Sequence, residues 1–217
     1  MKWCKNRCYF ESGPYKGKPS RGLMKTIYKK KLLKTVTWPR NKTATHKKYR
    51  RPRQHGKAVD RALARWVTNP IKYHSRISGV KTFIKVCQDR HWTPRYAQRV
   101  VLGRPDTRIA TCVDLVLQTA SGEWLVVEVK TGYHDNIRER KIPLPSPWSM
   151  PNSQRAQHCV QAILGAEMYA RTYKVQCRPI VVYIRDENLP EIVETMPDID
   201  IERVWDRLVD KTPVQSK

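Results

Sequence analysis

The hydrophobic pattern of this chain is clearest around Ser121 and Gly122, where two apolar runs flank a pair of turn-forming residues. The runs cover residues 112–118 and 124–130 and are typical of largely buried strands. Serine and glycine favour a tight turn, so the two runs predict an antiparallel hairpin. A further strand is predicted near residues 98–102.

Helical periodicity predicts the elements around this hairpin. A long helix is predicted over residues 152–173, because its apolar residues recur at helical spacing and form a stripe that faces the core. The stripe consists of Ala156, Val160, Ile163, Leu164 and Met168. Other helices are predicted over residues 55–67, 77–88 and 200–209, and an apolar strand over residues 179–184. Strands and helices in this order indicate an α/β fold.

Charged residues interrupt the hairpin at positions that its register brings together. Residues that face each other across a hairpin have numbers that average to the centre of the turn. Asp114 and Glu128 average to 121, inside the turn. Side chains alternate along a strand, so Glu128 and Lys130 share a face and Asp114 lies opposite them. We therefore expect three charged groups to converge on one largely buried patch.

Asp106 is the competing candidate for the first carboxylate, since it follows Pro105 directly. Pairing Asp106 with Glu128 would centre the turn on Leu117, in the middle of an apolar strand. The register therefore favours Asp114. Asp106 is expected in the turn that precedes the strand.

With Asp114 as the first acid and Glu128, Val129 and Lys130 as the E-x-K, the chain resembles the PD-(D/E)xK nucleases, the restriction-endonuclease-like superfamily. The resemblance covers roughly residues 55–185. It implies a core of helix, three antiparallel strands, helix and strand, with a mixed central sheet flanked by helices. The predicted elements follow that order.

Two further features resemble the RecB-like and lambda-exonuclease-like branch of that superfamily. In that branch a glutamine opens an apolar stretch of the helix after the motif, as Gln161 does here. An acid or histidine also follows a glycine in the opening helix, as Asp60 follows Gly56. The resemblance implies that Asp60 is an extra metal ligand or holds a water, and that Gln161 belongs to the site.

Each of these residues also has a purely structural interpretation. An E-x-K such as Glu128 and Lys130 often forms a solvated ion pair. An acid near the start of a helix, such as Asp60, is favoured by the helix dipole alone. Gln161 also belongs to a polar row with Gln154 and Gln157, which would suit a solvated helix face.

The chemistry that the motif implies is metal-assisted hydrolysis of a phosphodiester bond. Mg2+ or Mn2+ would be held by the carboxylates of Asp114 and Glu128 and the carbonyl of Val129, with Asp60 as the extra ligand. The metal would polarise the scissile phosphate and lower the pKa of a bound water, the nucleophile. Lys130 would stabilise the developing charge or orient that water.

The charge distribution points to a polyanionic partner. Residues 1–57 contain nineteen Lys or Arg residues and one acid, so most of the net charge of +24 lies in the first quarter of the chain. That quarter has little apolar periodicity. We therefore expect a basic, partly disordered arm over residues 1–54 and a nuclease-like domain over residues 55–217. The expected nucleic-acid contacts are Lys29, Lys30, Lys31, Lys47, Lys48, Arg50, Arg51 and Arg53.

DNA is the expected partner of this basic segment, with RNA as the alternative, because lysine and arginine release counterions from a phosphate backbone. The same residues would also serve as a nuclear-import address. An acidic membrane surface is a further alternative, although no strongly amphipathic basic helix is evident.

Cysteine usage and hydropathy bear on the compartment. No run reaches the roughly 20 apolar residues that span a bilayer, and the first residues lack the apolar centre of a secretory signal. We expect an intracellular protein, nuclear in a eukaryotic cell, with its six cysteines reduced. A zinc or iron–sulfur site that uses Cys4 and Cys8 is left open.

Together these features predict a Mg2+-dependent deoxyribonuclease that acts in replication, recombination or repair. The small, highly charged chain would suit an enzyme encoded by a virus or a mobile element. Two alternatives remain: a non-catalytic protein that packages or scaffolds nucleic acid, and a ribonuclease on the same fold.

Overall fold

A computed structural model describes the backbone of residues 2–4, 7–9, 20–30, 32, 47–131, 153–185, 189–194 and 196–209. Within these ranges, side chains are described for residues 20–30, 32 and from residue 54 onwards. The elements in chain order are β1 (Lys2–Cys4), β2 (Arg7–Tyr9), β3 (Arg21–Gly22), α1 (Leu23–Lys29), α2 (Lys47–Thr68), α3 (Ser78–Asp89), β4 (Thr93–Leu102), β5 (Ile109–Gln118), β6 (Trp124–Thr131), α4 (Gln154–Tyr173), β7 (Cys177–Ile184), β8 (Glu191–Val193) and α5 (Ile201–Leu208).

Six of the described strands form one mixed sheet. Its order is β4, β5, β6, β7, β8, with antiparallel pairs except for the parallel pair β6 and β7. The short β3 pairs in parallel with Ile109 and Ala110 of β5. Ala110 also pairs with Leu102 of β4, so β3 and β6 lie along the same edge of β5. The predicted α/β class is confirmed, while its assignment to a nuclease core stays a prediction.

The hairpin has the predicted register. Leu115 pairs with Val127 and Leu117 with Leu125, so the partner numbers average to 121. Gly122 in the turn has a φ of +87°, a conformation that glycine adopts without steric cost. The strands are longer than predicted: β4 begins at Thr93 and β5 at Ile109.

Hydrophobic clusters cover both faces of the sheet. On one face α2 and α3 pack through residues such as Leu63 and Phe83 against Leu115 and Val127. On the other face α1, α4 and α5 pack against residues such as Val116. The predicted stripe of α4 is buried at all five positions, Ala156, Val160, Ile163, Leu164 and Met168. The central strands are therefore shielded from water on both sides.

The first segment of the chain differs from the predicted arm. Leu23, Ile27 and Leu32 are at most 3% exposed and belong to the cluster on the α4 face. Only two of these residues share a helical turn, which is too short a pattern to stand out among lysines. Residues 20–30 and 32 are therefore part of the fold, and the rest of the predicted arm stays a prediction.

The opening helix also starts earlier than predicted. α2 begins at Lys47 rather than at residue 55 and continues without a break to Thr68. The basic run at residues 47–53 contains few apolar residues, so its periodicity gives no helical signal, but its backbone continues the amphipathic helix that follows. The side chains of residues 47–53 lie outside the described part of the structure.

The structure also bears on the predicted short helix, the cysteines and the question of a membrane span. The short helix is present as α5, and the Asp200 side chain caps it by accepting a hydrogen bond from the Arg203 N–H at 3.0 Å. Among the cysteines with described side chains, Cys87, Cys112, Cys159 and Cys177 are free thiols. The side chains of Cys4 and Cys8 lie outside the described residues. Across the described ranges, no helix combines the length and hydrophobicity needed to cross a bilayer.

The burial of α1 yields a first prediction. Ile27→Ala is expected to lower the free energy of unfolding by about 2–5 kcal/mol, because it removes a fully buried side chain and leaves a cavity. The control is Lys29→Ala on the same helix, which is exposed and should change stability by less than about 0.5 kcal/mol. Urea unfolding measures both. Equal midpoints for Ile27→Ala and the wild type would show that α1 does not belong to the folded core.

Candidate active site

Charged side chains lie close together at the point where the pairing between β5 and β6 ends. The paired residues of β5 on this edge are Leu115–Gln118, and β3 occupies the same edge at Ile109 and Ala110. Between these two pairings, the Asp114 side chain accepts a hydrogen bond from the Val129 N–H at 2.9 Å. A carboxylate thus joins the two strands at the point where the β-ladder ends.

Glu128 and Lys130 form an ion pair inside the protein. Glu128 is 6% exposed, and its Oε1 lies 2.5 Å from the Lys130 Nζ. The solvated ion pair of the structural interpretation is therefore not what is observed. Burial, and then the charge of Asp114, raise the pKa of Glu128 to about 8 in spite of the opposing effect of Lys130.

Asp114 shares this unfavourable environment. Burial raises the pKa of its carboxyl group, and the hydrogen bond from the Val129 N–H and the charge of Lys130 oppose that shift. Two neighbouring carboxylates with little access to water are costly to ionise unless cations compensate them. In the structure Lys130 supplies one such charge.

Gln161 of α4 reaches the same patch from above the sheet. Its Oε1 accepts a hydrogen bond from the Lys130 Nζ at 3.1 Å. The ammonium of Lys130 is thereby held between Glu128 and Gln161. The structure thus brings together four of the predicted site residues, Asp114, Glu128, Lys130 and Gln161, and their chemical roles stay predictions.

Asp60 approaches from the opposite helix layer. Burial and then the charge of Asp114 raise the pKa of Asp60, while Lys130 lowers it, so both charged groups lie within electrostatic range of Asp60. α2 comes close to the end of β6 at Gly56, where a Cβ atom would lie 3.3 Å from the Thr131 Oγ1. The glycine before Asp60 thus lets the helix approach the strand.

The donor atoms present suit a hard cation. Asp114 and Glu128 offer carboxylate oxygens and Val129 a backbone carbonyl, and an ion such as Mg2+ prefers oxygen and retains several waters. Within the described side chains, no three His, Cys, Asp or Glu residues converge to hold a metal ion. The predicted role of Asp60 as a metal ligand stays a prediction.

Gln98, which the sequence did not single out, faces Asp114 from the neighbouring strand. Its neighbours Ala97 and Arg99 pair with Leu115 and Val113, so the register places Gln98 opposite Asp114. Gln98 Nε2 donates to the Asp114 Oδ1 at 3.4 Å. Its φ is +51°, a left-handed conformation that is uncommon for a residue with a Cβ atom.

The alternation of β5 side chains between the two faces of the sheet shifts by one residue at Asp114. Val113 packs in the cluster on the α4 face, whereas Leu115 packs in the cluster on the α2 face. Residues two apart on a regular strand share a face, so regular alternation fails between Val113 and Leu115 and holds between Leu115 and Leu117. Asp114 therefore lies at a kink, with the left-handed Gln98 as its counterpart on β4.

A second pair that the sequence analysis missed lies beside Lys130. Lys130 pairs with Tyr183 of β7, and the Tyr183 hydroxyl lies 3.0 Å from the His158 Nδ1. Burial and the charge of Lys130 lower the pKa of His158 to about 3, so this imidazole is neutral at pH 7. His158 precedes Gln161 by three residues, and that helical spacing is the signal that would have found it.

Two other polar residues at the start of α4 lie around the site rather than in it. Gln157, next to His158, accepts a hydrogen bond from the Tyr28 hydroxyl at 2.8 Å, which joins α1 to α4. Arg155 forms a salt bridge to Glu191 at 2.6 Å.

Asp106 lies in a surface ion cluster. It accepts from Arg104 at 3.1 Å, and Arg104 also contacts Glu202 and Asp206 of α5. Its position agrees with the register argument that preferred Asp114.

The predicted nucleic-acid contacts are mostly outside the described side chains. Lys29 is exposed on α1, and the Lys30 Nζ donates to the Val209 carbonyl at 3.4 Å. The side chains outside the described residues are Lys31, Lys47, Lys48, Arg50, Arg51 and Arg53. Contact of any of the eight with nucleic acid stays a prediction.

Comparison with known proteins gives no assignment for this site. No protein-family model matches the chain, and no curated protein matches it. The resemblance to PD-(D/E)xK nucleases therefore depends on the residues of this chain alone and stays a prediction.

The left-handed backbone of Gln98 yields a second prediction. Gln98→Ala should be less stable than Gln98→Gly by about 1 kcal/mol, because alanine retains the steric cost of a positive φ. Val100, on the same strand, provides the control, and there the alanine variant should be the more stable one. Urea unfolding of the four variants measures both differences. If alanine is the more stable residue at both positions, Gln98 is not strained.

The buried histidine yields a third prediction. The pKa of His158 is lowered in the folded state, so the unfolded chain takes up a proton first as the pH falls. Its contribution to stability is present above the unfolded pKa of 6.5 and is lost as the pH falls towards about 3.

The expected readout is a difference between variants. From pH 7 to pH 5, the wild type should lose about 2 kcal/mol more unfolding free energy than His158→Asn. His74→Asn, at an exposed position, is the control and should follow the wild type. Parallel pH profiles for the wild type and His158→Asn would show that His158 is not held neutral.

Proposed function

We propose that this protein is a metal-dependent nuclease that hydrolyses phosphodiester bonds, with DNA as the favoured substrate. The observation that carries the proposal is the buried ion pair of Glu128 and Lys130 next to Asp114, at the end of the β5–β6 ladder. Perturbed carboxylates with a specific charged partner are typical of functional sites.

The residues of this site divide the work of hydrolysis. Asp114, Glu128 and the Val129 carbonyl would hold a divalent cation, which supplies Lewis-acid polarisation of the phosphate and a water of lowered pKa. Lys130 would then donate to the phosphate oxygen on which charge develops, or orient the attacking water. Gln161 keeps the ammonium in place, since it accepts a hydrogen bond from Lys130 Nζ at 3.1 Å.

Neighbouring residues support this arrangement. Gln98 donates to the Asp114 Oδ1 at 3.4 Å, and the Val129 N–H donates to its Oδ2 at 2.9 Å, so both carboxylate oxygens have a donor. The charges of Asp114 and Lys130 both shift the pKa of Asp60, so Asp60 would add to the negative potential that attracts a cation there. The neutral imidazole of His158 adds no positive charge beside Lys130.

The basic composition supports a nucleic-acid substrate. The net charge of +24, concentrated in the first 57 residues, attracts a phosphate backbone and holds it through counterion release. Such binding reads little sequence, which suits an enzyme that acts in DNA processing rather than at a defined site.

The second candidate function is a non-catalytic nucleic-acid-binding protein, and the same positive charge favours it. Binding through the basic segment does not require the buried carboxylates. Replacing a buried ion pair with apolar residues is often neutral or stabilising. The presence of Asp114 and Lys130 beside the buried Glu128 therefore supports the catalytic proposal over this alternative.

A cleavage assay tests the proposal. Wild-type protein should cut labelled DNA in Mg2+ or Mn2+ and not in EDTA, and Glu128→Gln should lower the rate by at least about 100-fold, since it weakens the metal site. Asp106→Asn is the matched control and should retain the wild-type rate. Single-stranded, duplex, flapped and circular DNA and matched RNA identify the preferred substrate.

The contrary outcomes are distinct. Tight binding without cutting by the wild type in either metal would favour the non-catalytic function. Cutting by Glu128→Gln at the wild-type rate would place catalysis elsewhere in the chain.

A further inference from the structure

A cluster of aromatic rings lies between β4 and the second half of α4. Tyr96 and Trp124 are stacked, with centroids 6.3 Å apart and planes 11° apart. Trp124 continues to Tyr169 at 6.5 Å, and Tyr169 to Tyr173 at 4.6 Å. Tyr169 is buried, but Tyr96 is 39% exposed, so the cluster reaches the surface. These four rings form an aromatic platform under the exposed side of β4.

Arg99 lies on this aromatic platform. Its guanidinium carbon is 4.7 Å from the centroid of the Tyr96 ring and 5.0 Å from that of Tyr173. The second ring is fixed in turn, because the Tyr173 hydroxyl donates to the Val100 carbonyl at 2.8 Å. A guanidinium that two rings already hold loses less conformational freedom when it binds an anion than a free side chain would.

The donors of this guanidinium are not used within the described part of the chain. No described carboxylate pairs with Arg99, and no described group accepts a hydrogen bond from it. Other arginines of the fold contrast with it: Arg104 contacts Asp106, Glu202 and Asp206, and Arg178 contacts Glu123 and Glu194. Arg99 alone among these three is exposed, held in place by rings and without an acidic partner in the described residues.

Its position relates the side chain to the candidate site. Arg99 follows Gln98, which contacts Asp114, and it pairs with Val113. Its ring partner Tyr173 and the Lys130 partner Gln161 both belong to α4, so Arg99 and Lys130 face the same side of the sheet. Gln161 and Tyr173 are twelve positions apart on α4, or about 18 Å along its axis, the length of about five phosphates along one strand of a duplex.

We propose that Arg99, held between Tyr96 and Tyr173, binds a backbone phosphate of the nucleic acid several nucleotides from the bond that is cut. The planar guanidinium offers paired N–H donors that match two phosphate oxygens. This inference rests on the nucleic-acid partner of the proposed function, but it does not depend on cleavage.

Binding measured without cleavage tests this inference. The full chain with Glu128→Gln is titrated with a labelled DNA strand and its duplex, in EDTA, between about 50 and 200 mM salt. Arg99→Gln should weaken binding about tenfold. It should also reduce the slope of log affinity against log salt by about 0.7 for single-stranded DNA and 0.9 for duplex. Lys85→Ala, which removes one charge from the opposite face of the sheet, is the control and should leave both values unchanged.

Two further variants separate charge from shape. Arg99→Lys should keep the salt slope while it weakens binding, because lysine retains the charge but not the planar pair of donors. Tyr96→Leu should act in the same way, since it removes one of the rings that hold the guanidinium. Glutamine at position 99 still covers the rings, and thermal unfolding checks that each variant is folded.

The outcomes for this inference and for the nuclease proposal are separable. A salt slope for Arg99→Gln equal to that of Lys85→Ala overturns the phosphate site even if the wild type cuts DNA. A reduced slope supports the phosphate site even if the wild type cuts nothing.

Discussion

A carboxylate on a central strand is the constraint around which this molecule is organised. Glu128 lies on β6, where helices cover both faces of the sheet, and water reaches little of it. Such a group has to find a cation and hydrogen-bond donors or remain neutral. Lys130 provides the cation, and Gln161 holds Lys130 in place from α4. The position of α4 relative to β6 therefore holds this ion pair as well as the hydrophobic core in place.

The second carboxylate adds a geometric requirement. Asp114 lies where the ladder between β5 and β6 ends, and it uses a backbone N–H that a longer ladder would have occupied. The change of face between Val113 and Leu115, together with the left-handed Gln98, forms a kink in the sheet at that point. Backbone strain of this kind is common where the surrounding structure holds a functional group in place.

The sequence predicted those features of the fold that depend on the alternation of strand residues, the spacing of helix residues and the position of the turn. The two-residue alternation and the Ser121–Gly122 turn fix the hairpin register, which is enough to bring Asp114 and Glu128 together. The helical stripe of α4 locates Gln161 in the same way. The features that were not predicted depend on backbone conformation or on very short elements. No sequence pattern indicates the positive φ of Gln98. β3 has two residues, too few to show a strand period.

The pairing of β3 has a consequence for the order of assembly. Arg21 and Gly22 pair with Ile109 and Ala110, which lie 88 residues later in the chain. During synthesis from the N-terminus, the apolar side of α1 emerges long before the strand that it packs beside exists. Its lysines keep that segment hydrated in the meantime. The α1 segment is thus translated well before β5 but is buried only after β5 exists, and its lysines keep it soluble in the interval.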